Sequence, residues 1–337
     1  MKKTRLPIIA AALLLSLTAC SQSSTPETSA PETTTAPATI PETSEETEDA
    51  KEETSKEAAP EAGAAVFDGD TNKLGPIMKE IYETGKFDVG YTAQKPPQQF
   101  HLTINGVDNV VGFEVEMTNL IAERLSEYFG RDVEQEINIF TVQGGLAALQ
   151  AKQIDCMPTL SPTPERRENY DFSQSYHWSV QTIGYLKERQ QDEMFDPARE
   201  MEGVTVAVVK GTTNESGLAQ KYPKCTILSL EKQSDVLIAV LTKKADAFLM
   251  NEKTAILYVA ANPELMYDLD LSYNVDLTMD PGAAYCVPKG NEDFVAIIDE
   301  VVARIREDGT FEKIEADAIA LCDNAEVLEA YMADKVQ

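Results

Sequence analysis

The chain has 337 residues, 43% of them hydrophobic, enough to bury one or two ordinary domain cores. Its 57 acidic residues face only 29 Lys and Arg, a formal net charge of −28, which excludes nucleic acid as a partner because a phosphate backbone demands clustered cations. The two histidines, His101 and His177, stand far apart and no Cys-x-x-Cys pair occurs, so neither a metal site nor a cofactor is expected.

In chain order, Met1-Lys2-Lys3-Thr4-Arg5 supplies a positive start and residues 6–17 an apolar run. That run is too short for the roughly 20 residues of a membrane-spanning helix, so residues 1–19 read as a secretory signal. The signal ends in Leu17-Thr18-Ala19-Cys20, which is similar to a bacterial lipobox. Lipid attachment through a thioether needs a thiol, which gives Cys20 a chemical reason to stand there. One acyl chain anchors marginally, at about 0.8 kcal/mol per buried CH₂, so the paired chains of a lipoprotein would hold the protein at the membrane. Residues 20–65 then form a Ser/Thr/Pro/Glu linker. After Cys20 it carries eleven acids and two bases and almost no aromatic or branched apolar residue. Such a segment buries too little to offset its ordering entropy, so it is expected to be a disordered tether, extended by its own repulsion.

Folded structure is expected from Val66. Residues 87–91 read as a first strand, followed by a Pro- and Gln-rich loop through Phe100. Met117, Leu120, Ile121, Leu125 and Phe129 recur at helical spacing, with acids in the first turn and Gly130 as a stop. A strand over 133–140 and a short helix over 144–152 lead to the apolar strand 154–157. After it, Thr163 reads as an N-cap with Pro164 at the first helical position. Arg166, one turn in, presents a planar fork of donors that suits a carboxylate. Residues 178–186 are extended. Residues 204–209 form a buried strand that ends in Gly211-Thr212-Thr213 at a helix start. A helix over 233–243 and a strand over 245–250 echo the helix and strand that precede Arg166. Helices from 291 to 307 and onward to 332 end the chain. Strands alternating with helices imply mostly parallel sheets flanked by helices, where ligands bind beyond the strands' carboxyl ends.

The string Ile154-Asp155, Leu160-Ser161, Thr163-Pro164-Glu165-Arg166 and Asp171-Phe172-Ser173 closely resembles the signature of the amino-acid-type extracellular solute-binding proteins of ABC transporters, bacterial family 3. Gly112-Phe113-Glu114-Val115-Glu116 and Gly211-Thr212-Thr213 are further blocks of the match. The resemblance covers roughly residues 87–314. It implies an α/β, two-lobed, type II periplasmic-binding-protein-like fold joined by two hinge strands. Lobe 1 is then residues 66–185 with 287–337, lobe 2 residues 186–286, and the hinges fall near 184–187 and 286–289.

By the same resemblance, Arg166 grips a ligand's carboxylate and Thr213 holds it from the second lobe, with Thr159, Ser161 and Thr212 beside them. Where the family places an aspartate for the ligand's α-ammonium, this chain has Asn251, with Glu252 next. A buried ammonium without a counter-charge is costly. Either Glu252 substitutes, or the ligand lacks an α-amine, or recognition is neutral. The family's sandwiching aromatics fall near Pro97 and Val142, neither aromatic, which implies a wider or less planar pocket. Cys156, Cys225, Cys286 and Cys322 read as buried thiols, although four cysteines allow three pairings. The expected partners are a small amino acid or related carboxylate, an ABC permease with its ATPase, and the membrane through the lipid on Cys20. The rival readings are a dehydratase-like enzyme with Glu252 as general acid, a receptor's sensor domain, and a surface lipoprotein without a transport role.

Overall fold

Short apolar runs separated by amphipathic stretches can bury their apolar faces as sheets covered by helices. The computed structural model describes residues 66–273 and 282–335 and shows that arrangement in two lobes. The signal, Cys20 and the linker lie outside the described residues.

The first lobe begins with α1 (Pro76–Thr84) and β1 (Lys86–Tyr91), then a meander of β2 (Gln94–Lys95), β3 (Gln99–Ile104) and β4 (Val107–Val111). In α2 (Phe113–Phe129), Met117, Ile121 and Leu125 are fully buried at four-residue spacing. Gly130 ends that helix in the left-handed region at φ 63°, its N–H on the Ser126 carbonyl. Strand β5 (Glu134–Ile139) pairs in parallel with β1. After α3 (Val142–Gln150), Cys156 bridges in parallel to Val89 of β1, and the chain continues through β6 (Met157–Leu160), α4 (Pro164–Asn169) and β7 (Tyr170–Phe172).

The second lobe comprises β8 (Gln181–Leu186), β9 (Thr205–Val209), α5 (Thr213–Lys221), β10 (Thr226–Leu230), α6 (Gln233–Leu241), β11 (Ala247–Asn251), α7 (Glu252–Ala261) and β12 (Leu265–Tyr273). Its strands lie in the order β10-β9-β11-β8-β12. Strands β9, β10 and β11 run parallel, as their helical connections require. Strand β8 arrives from the other lobe without a helical crossover and runs antiparallel to both neighbours, so the sheet is mixed.

Strand β13 (Ala284–Pro288) returns to the first lobe between β6 and β7, antiparallel to both. It is followed by α8 (Glu292–Glu307), α9 (Thr310–Ala320) and α10 (Ala325–Lys335). Helices α8 and α9 pack on α2, where Arg124, 1% exposed, grips Glu300 of α8 through Nε at 2.8 Å and Nη2 at 3.1 Å. Helix α10 packs on α9 and reaches across to α7 of the second lobe. Among the described residues no helix is long and apolar enough to cross a membrane.

The passages between lobes differ from the sequence expectation. All of Gln181–Leu186 is buried in the second sheet, so the outward crossing lies between Phe172 and Gln181, ahead of 184–187. Strand β13 pairs in the first lobe, so 286–288 belong to its sheet and not to the return passage. The crossings touch: the Tyr176 N–H donates to the Ala283 carbonyl at 2.8 Å, and the Ala283 N–H to the His177 carbonyl at 2.7 Å. A continuous apolar run carries no mark of the sheet it joins; its partners, tens of residues away, decide. Cys156, Cys286 and Cys322 are buried and Cys225 half-buried, all as free thiols.

Candidate functional site

Two strand ends face each other across the lobes. In the first lobe, β6 runs into Ser161, and the Thr163 hydroxyl accepts from the Arg166 N–H at 3.4 Å to start α4. In the second, β9 runs into Gly211, and Thr212 caps α5, its hydroxyl accepting from the Glu215 N–H at 3.4 Å and donating to the Val209 carbonyl at 2.7 Å. Gly211 is needed at that turn: its φ is 73°, and a Cβ there would come within 1.9 Å of the Gln143 side chain of α3.

The half-buried Arg166 spans the gap. Its Nη1 donates to the Ser161 carbonyl at 2.9 Å and its Nη2 to the Gly211 carbonyl at 2.9 Å, one contact in each lobe. Beside it the Ser161 and Thr213 hydroxyls meet at 3.5 Å. Thr159, Ser161, Arg166, Thr212, Thr213 and Asn251, drawn from both lobes, wall one cleft of about 60 Å³. A guanidinium pinned between two loops that also offer hydroxyls and the start of a helix is suited to a carboxylate. Arg167 is instead exposed, with its Nε on the Pro162 carbonyl at 3.0 Å.

Thr159 lines the cleft in a strained backbone conformation, φ 71°, and its side chain turns inward. Its hydroxyl donates to Glu114, which is fully buried at the start of α2. Glu114 also accepts from Gln99 Nε2 at 2.7 Å and from the Tyr176 hydroxyl at 2.8 Å, while the Tyr176 oxygen accepts from the Thr159 N–H at 2.8 Å. Burial, then the Glu114 charge, pushes the Tyr176 phenol well above its ordinary range and keeps it a donor. The carboxylate thus fixes the cleft wall from behind.

Asn251 sits where three chain segments meet. Its Nδ2 donates to Gln98 Oε1 at 3.3 Å and to Ser179 Oγ at 3.2 Å, and its Oδ1 accepts from Asn214 Nδ2 at 3.4 Å. The neutral amide joins the first lobe, the crossing segment and α5. Glu252, the next residue, accepts from the Tyr331 hydroxyl of α10 and lines an adjoining cavity. Val142 lines the cleft itself, and Pro97 the adjoining cavity.

Sequence reasoning passed over Lys95, Gln98, Ser179 and Asn214, all of which line the cleft. They come from the Pro-rich loop, the crossing segment and α5. The Pro96-Pro97 pair was the available signal, since a loop so punctuated is held in shape. That loop is fastened to the second lobe: Gln94 Oε1 accepts from the Gln233 N–H at 2.9 Å, and Thr254 Oγ1 donates to the Pro96 carbonyl at 2.9 Å.

The family model of the bacterial extracellular solute-binding proteins, family 3, matches residues 87–319. The L-cystine-binding protein of Escherichia coli is 25% identical over 240 residues, 71% of this chain and 84% of that protein. A solved amino acid ABC transporter substrate-binding protein from Streptococcus pneumoniae, bound to L-arginine, is similar with a TM-score of 0.61 and 25% identity, over 72% of this chain and 97% of that one. An ancestral amino-acid-binding protein, a precursor of cyclohexadienyl dehydratase, shares the fold at a TM-score of 0.58 and 24% identity, over 70% and 96% of the two chains.

Proposed function

We propose that this chain, which belongs to the bacterial extracellular solute-binding proteins of family 3, captures an amino acid or related small carboxylate between its lobes and delivers it to the permease and ATPase of an ABC importer. The observation that carries the reading is the Arg166 guanidinium, held between the Ser161 carbonyl of one lobe and the Gly211 carbonyl of the other. A carboxylate docked on it touches both lobes only when they are together. Binding energy then favours the closed arrangement, and a permease can recognise that surface. Ser161, Thr212 and Thr213 supply the neighbouring donors, Thr159 shapes the wall, and Asn251 contributes a neutral amide.

Export and anchoring belong to the same reading: residues 1–19 direct the chain outward, Cys20 takes the lipid, and residues 20–65 tether the lobes to the membrane surface. Binding requires no catalysis. Glu252, the acid a dehydratase-like reaction would use, is engaged by Tyr331 beside the cleft. The relatives named for cystine and arginine support an amino acid as the solute.

A thermal-shift screen against the standard amino acids, L-cystine and lactate tests the reading. At about 100 times Kd, a bound compound adds roughly 2.7 kcal/mol, several degrees of Tm. Arg166→Ala weakens the compound found by at least about 2 kcal/mol in calorimetry, because a charge-assisted pair is lost. Unchanged affinity in that variant removes Arg166 from the site, and no shift across the panel with folded protein removes the amino-acid reading.

A further inference from the structure

Beside the polar cleft lies a second cavity, about 220 Å³, at the junction of the lobes. The two share Gln98, His177, Ser179, Asn251 and Thr254 as a common wall. Beyond that wall Pro97, Phe113, Trp178, Val180 and Met332 give an apolar lining, with Glu252, Lys253 and Tyr331 at its edge. Phe113 opens α2, Trp178 and Val180 belong to the outward crossing, and Met332 belongs to α10, which lies beyond the family match at residues 87–319.

We propose that this cavity receives the side chain of the same solute whose carboxylate Arg166 holds, and so selects amino acids with a large apolar side chain, aromatic or thioether. The inference rests on the carboxylate-capture reading above. Three observations carry it. The shared wall places the cavity next to the carboxylate site, with Asn251 belonging to both. The lining exposes mostly carbon, and the polar ends of Glu252 and Lys253, which also line it, are engaged by Tyr331 and by Glu315 at 2.6 Å, so a polar side chain entering it would lose more water than it regains in partners. Its volume exceeds the roughly 150 Å³ of an engineered apolar cavity that takes up benzene, whereas the cleft itself, at about 60 Å³, holds little beyond the amino-acid head group. Met332, an unbranched and polarizable side chain, suits a wall that adapts to its occupant.

Calorimetry on the full chain with L-phenylalanine, L-methionine, L-alanine and L-arginine tests this. Phenylalanine or methionine is expected to bind at least tenfold more tightly than alanine, with a more negative heat-capacity change from the extra apolar burial. Met332→Trp and, independently, Val180→Trp fill the cavity. Each is expected to abolish that tenfold advantage while leaving alanine binding within twofold. Tighter binding of arginine or alanine, or phenylalanine affinity that survives in a folded cavity-filled variant, overturns the proposal and leaves carboxylate capture standing. If no amino acid binds the unaltered protein, the amino-acid reading fails and the side-chain subsite with it.

Discussion

Glu114 holds the cleft wall more firmly than its distance from any ligand suggests. It receives donors only, from Gln99, Thr159 and Tyr176, in a fully buried position. Glu114→Gln sets an amide N–H₂ against one of those donors and leaves a buried pair unsatisfied. A stability loss of about 2 kcal/mol is expected, read as a lower urea midpoint with unchanged slope. An unchanged midpoint means that the donors find other acceptors and that Glu114 does not set the wall. At this scale the sequence spoke where a short string fixes both residue and backbone. Arg166 and Thr213 each follow a strand end and a capped helix start, and both line one cleft. Gln98, Ser179 and Asn214 converge on Asn251 from three distant segments. No local pattern encodes such a meeting, so those residues were not legible.

Helix α10 is a strap made of eleven residues. A helix so short is marginal alone, so its order must come from docking. Leu328, fully buried, joins Phe100, Ile256, Leu257, Ile319 and Cys322 in a cluster that draws on β3, α7 and α9, and Tyr331 adds its hydroxyl to Glu252 of α7. Leu328→Ala should cost about 2–3 kcal/mol by opening a cavity in that cluster, measured by chemical denaturation. Amide exchange in α10 should rise before exchange in α2, since the strap opens locally. Uniform protection loss throughout the molecule would make α10 part of the global core. Elements with strong periodicity or clear caps, α2 above all, were legible to within a residue or two. Strand β8 was seen as extended but assigned to the wrong side of the crossing, because its sheet partners β11 and β12 lie some sixty to ninety residues downstream. Likewise, nothing in residues 325–335 states that they pack on α7.

At the scale of the whole molecule, two half-buried acids set opposite limbs of the pH profile. Burial alone would raise Glu315, but hydrogen bonding to His177 and the charge of Lys253 outweigh it and bring the carboxyl down to about 2 from its ordinary 4.5. Lys253 lies on α7, His177 in the crossing segment and Glu315 on α9, so the cluster ties the second lobe to the first at 2.6 Å and 3.5 Å. A depressed folded value gives stability that is complete above pH about 4.5 and lost as pH falls toward 2. Asp155 behaves inversely. Burial raises it to about 7 from 3.8, against the Asp88 N–H it accepts at 2.8 Å. Folding therefore favours its neutral form, and the associated stability is complete below pH about 3.8 and lost as pH rises through 7. Both contributions are near complete together only around pH 4, between the two limbs. Glu315→Gln should lower stability by about 2–3 kcal/mol at pH 6 and by little near pH 2. Asp155→Asn, which keeps an oxygen for the Asp88 N–H, should gain about 2 kcal/mol at pH 8 and nothing near pH 4. Denaturation of both variants across this range separates the limbs. A pH-independent effect of Glu315→Gln would mean that its contacts to Lys253 and His177 carry no charge-dependent stability, and the lobes would then be tied chiefly by the apolar packing of α10 on α7.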